Sequence, residues 1–330
     1  MKLLSAILFA CLSVVSTSAQ QIVVNHNSLS LFPQIPEQYL GPARAKRVLF
    51  MDQSVGLNLH GALNCLTKSS YSQAANVCRR DYIMNADGTW TAFLRTDPNT
   101  VHPYIQFFPD PIKYTRANWK YYYHYQGGSW QDAAKYFIKG LHNGIIQARM
   151  PITLEPVNLN VSDFDVLSFQ FSYLHIAAGS TAGQFFTELP GEFDDAYDLE
   201  REMNEHFLSE GKQFFYWTTS LGRSIGTAES ESFNNTMRAW ANLYQRPLLD
   251  FSDIEAFDKN SGPCFDDRDG VLYSGTNGAE NYPDDGLLIP AVCQEKTTEI
   301  NGGHLVTAQG TVSAIKGFWI MMARLSGWNQ

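Results

Sequence analysis

Two residues could carry nucleophilic chemistry in this chain: Ser54, within Asp52-Gln53-Ser54-Val55-Gly56, and His304, within Asn301-Gly302-Gly303-His304-Leu305. A serine hydroxyl is almost wholly protonated at neutral pH and attacks poorly until an adjacent base takes its proton. An imidazole does this with a pKa near working pH, and it can hand the proton on to a leaving alkoxide. Such a pair suits acyl transfer through a covalent intermediate. Of the eight histidines, only His304 stands behind a glycine pair and ahead of an amphipathic helical pattern. Ser54 taken alone reads as a turn or helix N-cap residue, so its chemistry depends on what the fold brings to it.

The positioning elements are short β-type apolar runs alternating with helical patterns. The runs are Arg47–Met51, Asp165–Phe169, Gln213–Trp217 and Pro247–Phe251, with the length and composition of buried parallel strands. Helical periodicity appears in Phe233, Met237, Trp240, Ala241 and Tyr244, and again in Ile315, Phe318, Trp319, Met322 and Leu325. Alternation of this kind predicts a doubly wound α/β sheet. Right-handed crossovers then place the strand C-termini along one edge. Four segments should meet there: Asp52–Gly56, Gln170–Ser172, Thr218–Leu221 and the loop carrying His304.

These segments resemble, in order, the blocks of the SGNH/GDSL hydrolases, over about Arg47 to Trp328. Asn301-Gly302-Gly303-His304-Leu305 with Gly310 is similar to the family's last block, Asp-x-x-His-Leu and a later Gly. Phe233-Asn234 through Met237-Arg238, followed by Pro247-Leu248-Leu249-Asp250, is similar to its penultimate helix and strand, and Asp52-Gln53-Ser54 stands where the family has Gly-Asp-Ser. The resemblance implies a flavodoxin-like three-layer α/β/α sandwich with a central parallel sheet. It also implies a serine ester hydrolase with Ser54 as nucleophile and His304 as general base and acid. The oxyanion hole would use the Ser54 N–H and a glycine N–H, for which Gly128 in Gly127-Gly128-Ser129-Trp130 is the candidate. Gly127 occupies the place of the family's Asn donor, leaving Gln170 or Ser172 to donate instead.

Asn301 stands where the family places the Asp that accepts the histidine Nδ1–H. An amide cannot supply that charge, and the same exchange in serine proteases lowers turnover by about 10⁴. Asp266, Asp284 and Asp285 are alternative carboxylates. A chain that keeps this fold but binds a glycan or other ligand without cleaving it is the rival reading.

The 330 residues are 44% hydrophobic and 17% charged, the composition of a packed globular protein. With no repeat or linker, they read as a signal peptide over 1–19, an extension over 20–46 and one domain over 47–330. Lys2, the apolar run Leu3–Val15 and the small residues before Ala19 form the export signal. Removing it takes the net charge from −9 to −10, which argues against nucleic acid as a partner. No segment is apolar for long enough to span a membrane. Cys65, Cys78, Cys264 and Cys293 remain, and their grouping suggests Cys65–Cys78 and Cys264–Cys293, although three pairings exist. Each bridge would contribute roughly 3 to 4 kcal/mol on the chain-entropy model. Asn160 and Asn234 lie in glycosylation sequons.

No metal or cofactor is expected. Asp266-Asp267-Arg268-Asp269-Gly270 lacks the alternating ligands of a calcium loop. The aromatic run Trp119–Tyr125 has the chemistry to stack on sugar rings, with ordinary packing as the simpler reading. It tilts the expected substrate towards carbohydrate acetyl esters, met by a secreted monomer.

Overall fold

Strand β2 (Val48–Asp52) is buried along its whole length and lies at the centre of the sheet. Its side chains alternate in direction, as those of any strand do. Val48 and Phe50 enter one apolar core, while Leu49 and Met51 enter another on the opposite face. A continuous apolar run at this position therefore means a strand covered on both sides.

The computed structural model describes residues 21–86, 90–100, 106–125, 130–176, 199–224, 227–266, 287–299 and 302–330. The export signal expected over 1–19 lies outside them. On one side β2 pairs in parallel with β5 (Trp119–His124), and on the other with β8 (Val166–Phe169). Beyond β8 come β9 (Gln213–Phe214) and β10 (Tyr216–Trp217), which are successive halves of one run. The first half pairs with β8 and the second with β11 (Leu248–Leu249), all in parallel. At the switch, Ser168 donates its hydroxyl to the Phe215 carbonyl at 2.9 Å, which joins the two ladders. Next to β5 lie β6 (Ile145–Arg149) and β7 (Pro156–Asn160), both antiparallel to their neighbours. A separate antiparallel ribbon pairs β3 (Arg80–Met84) with β4 (Trp90–Leu94).

Helices cover both faces. On the Val48/Phe50 side are α1 (Glu37–Ala45), α2 (Ser54–Leu63), α7 (Phe251–Ala256) and α8 (Ala308–Arg324); the Leu49/Met51 side carries α4 (Trp130–Asn143), α5 (Leu199–His206) and α6 (Thr227–Leu243). The four strands expected from the sequence are present. The run Trp119–Tyr125 is instead mostly β5, with Trp119 and Tyr121 buried in the core, so packing accounts for it.

Two expectations change. The last helix has an amphipathic pattern, yet every residue from Ala308 to Ala323 is buried. Its outer side is covered by α1 and by the 3-10 segment His26–Gln34. That cover comes from residues read as an extension: β1 (Val23–Val24) pairs in parallel with β11, and Val24, Leu29, Phe32 and Leu40 lie in the core. The domain thus takes in residues before Arg47.

Both expected disulfides are formed. Cys65 joins Cys78 of the short helix α3 (Asn76–Arg79), and Cys264 joins Cys293. No helix among the described residues is long and apolar enough to cross a membrane.

Candidate active site

Ser54 is the first residue of α2, reached from the end of β2 through Gln53 alone. So abrupt a strand-to-helix turn needs its backbone donors held, and Asp52 holds them. The carboxylate accepts the Gly56 N–H at 2.6 Å and also the Gln53 N–H. Tyr121 closes the turn from β5 by donating its hydroxyl to the Gln53 carbonyl. Gly56 is required there, because a Cβ would stand 2.5 Å from the Asp52 Cβ and 2.7 Å from the Tyr121 ring.

With the Gly56 N–H taken, the N–H groups of Ser54 and Val55 remain as first-turn donors without an intrahelical acceptor. The helix dipole makes this end favourable for negative charge. Ser54 is half-buried. Burial pushes the Asp52 carboxyl up to about 7, against the opposing pull of the two N–H groups and of His304.

His304 arrives from the loop before α8. The next residue, Leu305, donates its N–H to Asn58 Oδ1 at 3.1 Å. Asn58 lies one turn beyond Ser54 on α2, so this bond pins the histidine loop against the helix that begins with the serine. Tyr173 sets its ring edge-on to His304 at 6.4 Å between centroids, and its hydroxyl accepts the Gly303 N–H. Gly303 packs so closely against the Leu221 carbonyl that a Cβ would overlap it. Leu221 in turn donates to the buried Glu255 at 2.6 Å.

Glu299 completes the arrangement. Its Oε1 lies 2.5 Å from His304 Nδ1, and its Oε2 accepts the His304 backbone N–H at 3.0 Å. The bond to Glu299 raises the His304 pKa, with burial opposing. Burial pushes Glu299 up, but the bonds from His304 outweigh it and hold the carboxyl below its ordinary value. Nδ1 is thereby fixed as the donor, which leaves Nε2 as the basic nitrogen.

The four segments expected at the sheet edge do meet. The Gln170 N–H bonds to the Met51 carbonyl at 2.8 Å, the Ser220 N–H to the Phe171 carbonyl at 3.1 Å, and the Tyr173 N–H to the Ser220 hydroxyl at 3.4 Å. No family model, curated protein or solved structure matches the chain. The site therefore rests on its own geometry.

Gln170 is fully buried and its amide donates to the Thr218 carbonyl at 2.8 Å, which ties strand ends together. The Ser172 hydroxyl accepts from the Leu174 N–H at 3.2 Å and caps a short turn. Gly127, Gly128, Asn301, Asp284 and Asp285 lie outside the described residues, while Asp266 is buried in the chain that follows Cys264. The residue that faces His304 Nδ1 is Glu299, which sequence reasoning missed.

A signal for it exists: Gly302 leaves room for the Glu299 carboxylate, which a Cβ there would overlap. Of the two sequons, Asn160 is exposed at the end of β7. Asn234 is fully buried in α6, where its Oδ1 accepts from the Thr219 N–H at 2.8 Å. That position leaves no room for a glycan in the folded chain.

Proposed function

We propose that the protein is a serine-dependent carboxylic ester hydrolase of the SGNH/GDSL kind. The observation that carries this reading is the Glu299–His304 pair, set on the helix whose first residue is Ser54. In the proposed reaction Ser54 Oγ attacks the acyl carbon while His304 Nε2 takes its proton. Glu299 stabilises the imidazolium that results. The Ser54 N–H at the start of α2 donates to the oxyanion. Nε2 then protonates the departing alcohol, and a water activated by the same nitrogen releases the acid.

With β9 and β10 counted as one run joining the two ladders and β1 left aside, the parallel strands from β2 onward lie in the order 2-1-3-4-5, an order that supports a flavodoxin-like sandwich. The export signal and two disulfides support secretion. The rival reading, binding without cleavage, drew on the missing carboxylate at Asn301, and Glu299 offers one. The carbohydrate tilt drew on the aromatic run, most of which is a core strand, so the proposal stops at the ester.

The test is hydrolysis of p-nitrophenyl acetate and longer acyl homologues by the purified full chain and by Ser54→Ala. Turnover should disappear in the variant, and a serine-directed phosphonate should label Ser54. A folded Ser54→Ala protein that keeps its turnover would sink the proposal.

A further inference from the structure

Away from the candidate active site, α4 and α5 bring together His142, Glu202 and His206. Glu202 Oε2 lies 2.9 Å from His142 Nδ1 and 3.3 Å from His206 Nε2, and the three ligand atoms all fall within 4.8 Å of one another. A tetrahedral ion with bonds of about 2.0 to 2.1 Å needs its ligand atoms about 3.3 Å apart. Both carboxylate-to-imidazole spacings already approach that value, so binding requires only a small closure of the two rings.

The surroundings suit a cation. Glu202 is itself almost wholly buried, and its second oxygen is held by Arg201 at 2.8 Å, an outer contact that fixes the carboxylate. His142 and His206 sit in the last turns of their helices, where the negative end of the dipole favours positive charge. Their side chains are 45% and 36% exposed, so an ion can reach the group from solvent. After His206 a single 3-10 turn leads to Gln213, which pairs with Val166 at the start of β8. The group therefore lies towards the edge where the parallel strands begin, opposite Ser54.

We propose that His142, Glu202 and His206 form a structural site for a divalent transition ion of the zinc type, clamping the end of α4 to α5, with water in the fourth position. Two imidazoles and one carboxylate are a borderline donor set that suits Zn²⁺ over Ca²⁺ or Mg²⁺, which take oxygen ligands. Neither the composition nor the spacing displays this group, because His142 is far from Glu202 in the chain.

The experiment uses the full chain without an affinity tag, stripped with a chelator and dialysed. Zn²⁺ is titrated by calorimetry and thermal unfolding, and Co²⁺ is used as a spectroscopic stand-in. We expect one equivalent of Zn²⁺, a Tm raised by about 5 °C at a hundredfold excess over Kd, and the visible bands of tetrahedral Co²⁺. Ca²⁺ should reproduce none of these. Glu202→Gln and His206→Ala should each weaken Zn²⁺ binding at least tenfold; the exposed His142→Ala supplies a further folded variant. Absence of Zn²⁺ uptake by the folded wild-type chain, or an unchanged Co²⁺ spectrum in the folded variants, would overturn the proposal.

Discussion

Replacing Glu299 by Gln changes one atom of the side chain, and the consequence follows from the two bonds that Glu299 makes. The His304 backbone N–H is an obligatory donor and needs an oxygen, 3.0 Å away in the wild type. A glutamine has a single oxygen and will turn it to that N–H, since the reverse orientation sets donor against donor. Its NH₂ group then faces Nδ1, which must become an acceptor, and the ring proton moves to Nε2. The imidazole can no longer take the Ser54 proton. Loss of the carboxylate charge also removes stabilisation from the imidazolium. Serine proteases with the matching substitution lose about 10⁴ in turnover, so kcat/KM should fall by about 10³ to 10⁴, or roughly 4 to 5.5 kcal/mol at about 1.4 kcal/mol per decade. The assay is steady-state hydrolysis of p-nitrophenyl acetate, with ¹⁵N spectra of the histidines reporting the tautomer. A folded Glu299→Gln protein within tenfold of wild type, with Nδ1 still protonated, would refute the reasoning.

Two further outcomes are expected. Because His304 acts as a base only when neutral, kcat/KM should rise with pH through its pKa. Glu299 raises that pKa, so the acid limb should have its midpoint above the ~6.5 of an ordinary imidazole and move to lower pH in Glu299→Gln; a wild-type midpoint at or below that value would contradict the assignment. Gly303→Ala would force a Cβ onto the Leu221 carbonyl, so denaturant unfolding should show a loss of about 1 to 3 kcal/mol, with turnover reduced as the His304 loop lifts from α2. Unchanged stability and rate would show that the close approach is unnecessary.

By itself the sequence determined the local elements and the chemistry available to them. Apolar runs such as Val48–Met51 are strands because their side chains must be buried on both faces, and the ends of such strands must gather on one edge. Ser54, Ser172 and the loop of His304 were therefore bound to gather at one edge once the order of strands and helices was set. The four cysteines paired locally for a related reason: the partners lie 13 and 29 residues apart.

Only the tertiary structure decided the rest. The carboxylate beside His304 Nδ1 proved to be Glu299, five residues upstream, for which Gly302 leaves room by having no Cβ, and a motif spacing does not record that. The aromatic run had two readings, packing and sugar stacking, and the pairing of Trp119–His124 with β2 decided for packing. The amphipathic pattern of α8 gave no hint that its polar residues, Lys316 included, would be buried. Asn234 carries an intact sequon yet lies inside the fold. For the strand and the last helix the deciding partner is distant in sequence, and periodicity records only which face is apolar, never what will come to lie against it.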